Sequence, residues 1–497
     1  MNCTMIPFPR PLPVRLPTVE GNVDYTHLRE QLQEMDRLVV ASGLETRFIE
    51  LSLAAWAQRA TAKAAPVPAK AQQRFQEHSR RALRCNVART LLQEDFRGFA
   101  VRLADSPLLQ WFCGCAQVDK VQVPSKSALE RYSKWLPVDT LRPLMDQLLR
   151  TGRDQAATLL LKEPLDLDTC FLDTTCVKAN IHFPVDWVLM RDGARTLMKA
   201  VSLIRGQGLK HRMAEPEQFL TRMNQLALHM SHARRKPESK KQRKRLLRQM
   251  KRLTQVVQGH AERYRDLLDR EWAQTEWTRR QADQVLRRLD GVLEQLPAAV
   301  QQAHERIIGE RLVPNAEKIL SLYDADVHVI VRGKAEAEVE FGNLLLLGES
   351  AEGLIVDWEL FADRVPADAT LVRRSVERMQ QALGQPLHGL GTDRGFDSEA
   401  NRRWLGRQKI YNGMCPRAPE NLKLRLRQKR FVAAQKRRAQ TEGRIGIFKN
   451  NFLGRPMQVK GFTHRQCAVA WGVLTHNLWV MARLPRAEAA PARRQAA

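Results

Sequence analysis

The sequence is short of acids, short of cysteines and without any long apolar run, and each deficit excludes a class of protein. It holds 81 Lys and Arg against 54 Asp and Glu, a net charge of +27 over 497 residues. A pI near 10.3 suits a polyanionic partner, with nucleic acid ahead of any other. An anionic membrane surface is the weaker alternative, because no stretch approaches the roughly 18 uninterrupted apolar residues of a spanning helix. The most apolar late segment, Cys467 to Met481, is broken by His476 and Asn477 and reads as a buried helix. Eight cysteines are too few for a disulfide scaffold. The close pair Cys113 and Cys115 has no His or Cys partners at zinc-finger spacing. The Pro-interrupted opening, Met1 to Leu16, lacks the apolar segment of a signal peptide, so a reducing cytoplasm is the expected compartment. A G-x4-G-K-[ST] phosphate loop is absent, Gly389-x-Gly391-x3-Gly395 misses dinucleotide-loop spacing, and His328-Val329-Ile330 lacks the second His of a relaxase site.

What is present is material for real cores, at 43% hydrophobic residues, and a length that fits roughly two to four domains. Residues 1–26 read as an irregular lead-in, with five prolines between Pro7 and Pro17. From 27 to 150 the spacing is helical, as in the stripe Leu91, Leu92, Phe96, Phe99, Leu103. Ser125 or Ser127 caps a short helix, Ala128–Trp135, that carries Arg131 and Lys134, with Lys126 at its start. A basic helix after a turn is how helix-turn-helix modules enter a major groove; the segment reads equally well as a surface helix packed on Trp135.

Near Leu165 the texture changes. Thr169–Thr175 reads as a buried strand, and further strands are expected at Val327–Val331, Val339–Leu347, Leu354–Phe361, Leu387–Thr392 and Ile410–Cys415. Helices are expected at Thr370–Leu383 and Ser398–Gln408. Between the first and second strands, residues 201–320 form a helical insertion. Leu246, Met250, Leu253, Val257 and then Val285, Leu289, Val292, Leu296 keep a four-three-four rhythm, most simply a two-helix hairpin. Arg234 to Arg252 holds eleven Lys and Arg against one acid; Arg243, Lys244 and Arg245 at its centre are candidate phosphate contacts. The expected architecture is α/β: an all-α N-terminal domain, a mixed-sheet domain over 165–200 and 321–484 split by the insertion, and a disordered tail over 485–497.

Asp173 follows Cys170-Phe171-Leu172 and Asp393 follows Leu387–Thr392, so each is read as an acid at the carboxyl end of a buried strand. A carboxylate there needs a cationic partner, either a salt bridge to Lys178 or Arg394 or a divalent metal. Arg438, Glu442, Ile445 and Lys449 are spaced four, three and four, on one narrow helix face, as ordinary helix salt bridging would also arrange them. Two strand-end Asp and a helix Glu in a basic chain suggest two-metal phosphoryl chemistry, with Arg438 and Lys449 holding phosphates.

The spacing Arg438-x3-Glu442-x6-Lys449 resembles the last three members of the Y-x2-R-x3-E-x6-K signature of bacterial insertion-sequence DDE transposases; Gln435 stands where that signature has Tyr. Asp173 to Pro184 resembles the first-aspartate region of that class, closest to its ISNCY group, and Thr392 to Phe396 the second. Gly333-Lys334-Ala335 and Val339-Glu340-Phe341-Gly342 are similar to the strands between. The resemblance covers roughly 85–484, with residues 96–136 similar to the helical domain that family members use on transposon ends. It implies an RNase H-like catalytic domain in which Asp173, Asp393 and Glu442 bind Mg²⁺, with Mn²⁺ able to substitute. It also implies double-stranded DNA as partner, both terminal inverted repeats and target, a homodimer on paired ends, and association with the nucleoid. The 220 positions separating the two aspartates are then accounted for by the insertion. A DNA-binding protein without catalysis and an RNase H-like nuclease without strand joining stand as alternatives.

Overall fold

Thr169–Lys178 (β1) places Cys170, Phe171, Leu172, Thr175, Cys176 and Val177 in the interior, the continuous apolar texture of a strand with neighbours on both edges. It is three residues longer than the seven-residue strand expected. The computed structural model describes residues 16, 18–60, 68–116, 120–234, 239–334, 337–363, 366–454 and 456–487. On one edge of β1 lies Ala337–Ser350 (β3), antiparallel from Cys170↔Ser350 to Lys178↔Gly342. Gly342 is required there, since a Cβ would sit 1.9 Å from the Val177 carbonyl oxygen. The far edge of β3 is shared by two strands, His328–Lys334 (β2) along its first half and Ile355–Leu360 (β4) along its second. On the other edge of β1 lie Gly389–Thr392 (β5) and Tyr411–Met414 (β6), both parallel. The result is a six-stranded mixed sheet. The strands after β1 fall where expected, with shorter bounds for β4, β5 and β6.

Seven helices precede the sheet: α1 (Val23–Ala41), α2 (Leu44–Ala60), α3 (Ala69–Leu91), α4 (Phe96–Asp105), α5 (Pro107–Phe112), α6 (Lys126–Ser133) and α7 (Val138–Asp154). The first begins inside the expected lead-in, capped by the Asn22 side chain; residues 1–15 and 17 lie outside the described set. These helices are no separate module. Their core residues, such as Leu38, Phe48 and Leu148, belong to one cluster with Leu172, Leu346 and Leu390 of the sheet. The joint is Phe462–Met481 (α16), a buried helix as the sequence implied. Its Trp471 donates from Nε1 to the Ser133 carbonyl at 3.0 Å. Its Asn477 side chain exchanges two 2.8 Å bonds with the Ile355 backbone, covering the open edge of β4 as a neighbouring strand would. No described helix is long and apolar enough to cross a membrane. Around the sheet lie α12 (Asp368–Leu383), α13 (Glu399–Arg407), α14 (Pro419–Arg425) and α15 (Lys429–Phe448), the last continuing into a π turn over Lys449–Leu453. Of the tail expected to be disordered, Arg486 bridges to Leu161 and pairs with Glu34 at 2.7 Å; residues 488–497 lie outside the described set.

The insertion differs from the two-helix hairpin. Four helices, α8 (Asp186–Gly206), α9 (Pro216–Arg234), α10 (Lys240–Glu271) and α11 (Arg279–Ala303), enclose a core of their own. It therefore starts at Asp186, fifteen residues before the expected boundary of 201. The reason is the apolar face of α8, from Trp187 to Ile204, which packs on the other three helices. At its root Asp186 accepts from Gln302 at 2.9 Å and from Arg306 at 2.9 and 3.0 Å, tying the start of α8 to the end of α11.

His476 of α16 sits 5.3 to 5.5 Å, ring to ring, from Phe448 and Phe452. Burial pushes its pKa down to about 4. The folded state thus refuses a proton that the unfolded chain accepts below its ordinary value of 6.5. That contribution to stability is complete above pH 6.5 and is lost as pH falls toward 4, by on the order of 3 kcal/mol. His476→Phe is expected to lose correspondingly less stability than wild type in urea titrations between those two pH values; parallel losses would show the imidazole is not responsible.

Candidate active site

The parallel register of β1 and β5 ends at Leu172↔Thr392, so the next residue on each segment is an aspartate. Asp393 lies just past the end of β5, as expected, and Asp173 in the middle of β1, which runs on to Lys178 because β3 pairs with it that far. Asp173 and Asp393 therefore project from adjacent strands, about 4.8 Å apart as backbones. Both are half-buried, and both line a cleft of about 1200 Å³. Asp393 accepts from the Gly395 amide at 2.8 Å and Asp173 from the Thr174 amide at 2.7 Å. Glu442 lines the same cleft from α15, together with Arg438, Ile445 and Lys449. Residues scattered over some 270 positions of sequence share one cavity.

Three other residues of α15 aim this face. Arg437 and Arg444 pair with the buried Glu349 at the end of β3, at 3.2 and 2.9 Å, and Arg437 also donates to the Ser350 and Ala351 carbonyls at 2.7 and 2.8 Å. Gln435 donates from Nε2 to the Gly413 and Thr392 carbonyls at 2.6 and 3.3 Å. It thus straps α15 to the carboxyl ends of β5 and β6. The position where the signature carries Tyr is occupied here by a two-pronged amide donor.

The cations expected to hold phosphate divide. Arg438 lines the cleft, and its buried Nε has no hydrogen-bond partner among the described residues. Arg394 is exposed at the cleft. Lys449, at the cleft wall, is buried and donates to Thr175 Oγ1 at 3.0 Å, anchoring the π turn to β1. Lys178 is paired with Glu340 at 3.0 Å. Lys126, Arg131 and Lys134 are exposed on and beside α6, whose other face is held by Tyr132 OH to His78 Nδ1 at 2.8 Å and Trp135 Nε1 to Ser79 Oγ at 3.1 Å. Ser125, not Ser127, caps that helix, which starts at Lys126. On α10, Arg245 is exposed and Arg243 half-buried. Lys244 is instead paired with Glu310 at 2.5 Å, whose carboxyl the Lys240 and Lys244 ammoniums hold down to about 2.

Three further acids near these strands do not line the cleft. Asp397 is buried against Arg402, at 2.7 and 2.8 Å, and the Arg417 amide. Asp166 and Asp168 precede β1, at the end of the strand away from the cleft. Two cleft acids escaped sequence reasoning as site candidates: Glu340, paired with Lys178, and Asp368, the first residue of α12, which accepts from Thr174 Oγ1 at 3.0 Å. A Cβ on Gly395 would meet Asp368 Oδ2 at 2.6 Å and Asp393 Oδ1 at 3.1 Å, so the two carboxylates flank one glycine. An acid in a first helical turn reads as dipole complementation, and nothing local distinguishes it.

Asp173, Asp368, Asp393 and Glu442 supply oxygen donors only, the chemistry of a hard cation. Among the described residues no group of three His, Cys, Asp or Glu is arranged to hold a metal ion. The carboxylates share a cleft without forming a closed cage. This donor set fits Mg²⁺, which takes one or two carboxylates and completes its shell with water and substrate phosphate; it does not fit a preformed structural site. Comparison with protein-family models, with curated proteins and with solved structures found no match for this chain.

Proposed function

We propose that the chain is a DNA transposase of the DDE type, with an RNase H-like catalytic domain built on the mixed sheet. The observation that carries this reading is the register that sets Asp173 beside Asp393 in the cleft faced by Glu442. These three acids would hold Mg²⁺ or Mn²⁺, which when bound would supply activation of a water or 3′-hydroxyl and charge stabilisation at a DNA phosphate. Arg438 on the cleft wall and Arg394 at its exposed lip hold phosphate oxygens. Lys449 fixes the floor through Thr175. Lys126, Arg131 and Lys134 on the opposite side of α6 from its buried Leu129 and Tyr132 contact the duplex of the terminal inverted repeats. Pairing of two ends calls for at least two copies of the chain on DNA.

The test is full-length protein with DNA carrying the repeats that flank its own gene, with Mg²⁺ or Mn²⁺. Nicking at the ends followed by joining to target supports the reading, and hydrolysis without joining assigns a nuclease instead. The open arrangement of the acids favours one second reading, a DNA-binding protein without catalysis. A gel shift with no cleavage in either metal would establish it.

Gln435 enters as a positioning residue. Gln435→Ala is expected to lower the cleavage rate on the order of tenfold, since displacement by an ångström at a site costs up to about a hundredfold, while DNA affinity stays within about twofold. Gln435→Glu, of the same shape but acceptor-only, fares no better than Ala. Equal kcat in all three would remove the strap from the mechanism.

A further inference from the structure

We propose that the four-helix insertion carries a second surface for the backbone of duplex DNA, a straight stripe on α10 made by Lys241, Arg245, Arg248 and Arg252. The spacing of four, three and four puts these side chains within an arc of about 60°, and eleven residues of helix extend them over about 16 Å. All four are exposed, while Leu246, Leu247, Met250, Thr254 and Val257 on the other side are buried in the bundle core. The rest of the helix shows what this sequence does with cations that only need neutralising. Lys240 and Lys244 share Glu310 at 2.6 and 2.5 Å, and Arg265 pairs with Asp266 and Asp290 at 3.2 and 2.9 Å. The stripe has no ion pair among the described residues. Like charges three and four apart repel, so a row of four is an arrangement that an external polyanion relieves.

The surroundings favour duplex DNA. Along 16 Å of axis one strand of a duplex presents about five phosphates, at 3.4 Å each, a match in length and number to four cations in a line. From Lys240 to Arg252 there is no aromatic residue on which unpaired bases could stack, as single-strand surfaces require. Insertion into a membrane interface needs a free apolar face, and that of α10 is spent in the core. At its root Asp186 closes the bundle by joining the start of α8 to the end of α11, so the stripe sits on a helix packed into a closed four-helix core.

The measurement uses full-length protein and a fluorescein-labelled random-sequence duplex of about forty base pairs, without divalent ions, from roughly 50 to 200 mM NaCl. K241A/R245A/R248A/R252A is expected to reduce the slope of log affinity against log salt by about 3 to 4, and to weaken binding roughly a hundredfold. R212A/R222A/R280A/R288A removes the same charge elsewhere on the bundle and is expected to change the slope by less than about 1. Thermal melting of both variants is read alongside, since a folded stripe variant with wild-type DNA binding overturns the proposal. An equal loss in the two variants overturns it too, as does a loss seen on vesicles of anionic lipid but not on DNA. Because no cleavage is measured, failure of the catalytic reading and failure of this surface give different results.

Discussion

Asp173→Asn, Asp393→Asn and Glu442→Gln are each expected to lower divalent-ion-dependent cleavage of terminal-repeat DNA by a thousandfold or more. That corresponds to about 4 kcal/mol of lost transition-state stabilisation. Affinity for the same DNA without metal should stay within about threefold, because the substitutions leave every proposed cationic contact to the duplex in place. The size of the effect follows from charge. An amide keeps the shape and the local hydrogen bonds, such as Asp393 accepting from Gly395, but removes the negative oxygen that a hard cation needs. Asp166→Asn is the control: it lies on the segment before β1, bonded to the Asp168 amide at 3.0 Å, and cleavage should be unchanged. Cleavage near the wild-type rate in any of the three cleft variants would end the assignment of that residue as a ligand.

Asp324→Ala is expected to destabilise the sheet core by about 3–5 kcal/mol. Asp324 lies on the segment returning from the insertion and pairs with Arg465 of α16. Their side chains are 3% and 0% exposed, and a second bond, Arg465 Nη2 to Asp324 Oδ1, measures 3.0 Å. Removing the carboxylate strands a guanidinium in the interior, whose Nε already lacks a partner. It also removes the acceptor of the Gly461 amide at 3.2 Å. Replacing both charges, as D324L/R465M, should recover most of the loss, because desolvation of the pair offsets much of its attraction. Equilibrium urea unfolding followed by tryptophan fluorescence reads both variants. A single-variant change below about 1 kcal/mol would mean the interior there is wetter than the packing implies.

Much of the strand and helix plan was legible because its signals are local. The apolar run at Thr169–Thr175, the cap of α13 at Ser398 and the four-three-four face of α15 depend on residues a few positions apart. The insertion was read as a hairpin because α10 and α11 have strong periodicity, whereas the partnership of α8 and α9 with them is a packing fact. The separate N-terminal domain dissolved for a similar reason. Trp471 and Asn477 of α16 reach Ser133 on one side and Ile355 on the other, and no periodicity in 27–150 announces a partner more than three hundred residues away.

The sequence by itself determined the charge, the lack of a long apolar run and the order of the strands, since composition and short-range spacing carry that information; Asp173, read as ending a strand, lies in the middle of β1. Only the tertiary structure decided which charges remain available. Lys178 pairs with Glu340 and Lys244 with Glu310, Lys449 is held by Thr175, and the register of β1 on β5 set Asp173 beside Asp393, with Asp368 alongside. The physical reason is that a charged side chain's role depends on its nearest counter-charge and on its contact with water, and both are fixed by residues remote in sequence.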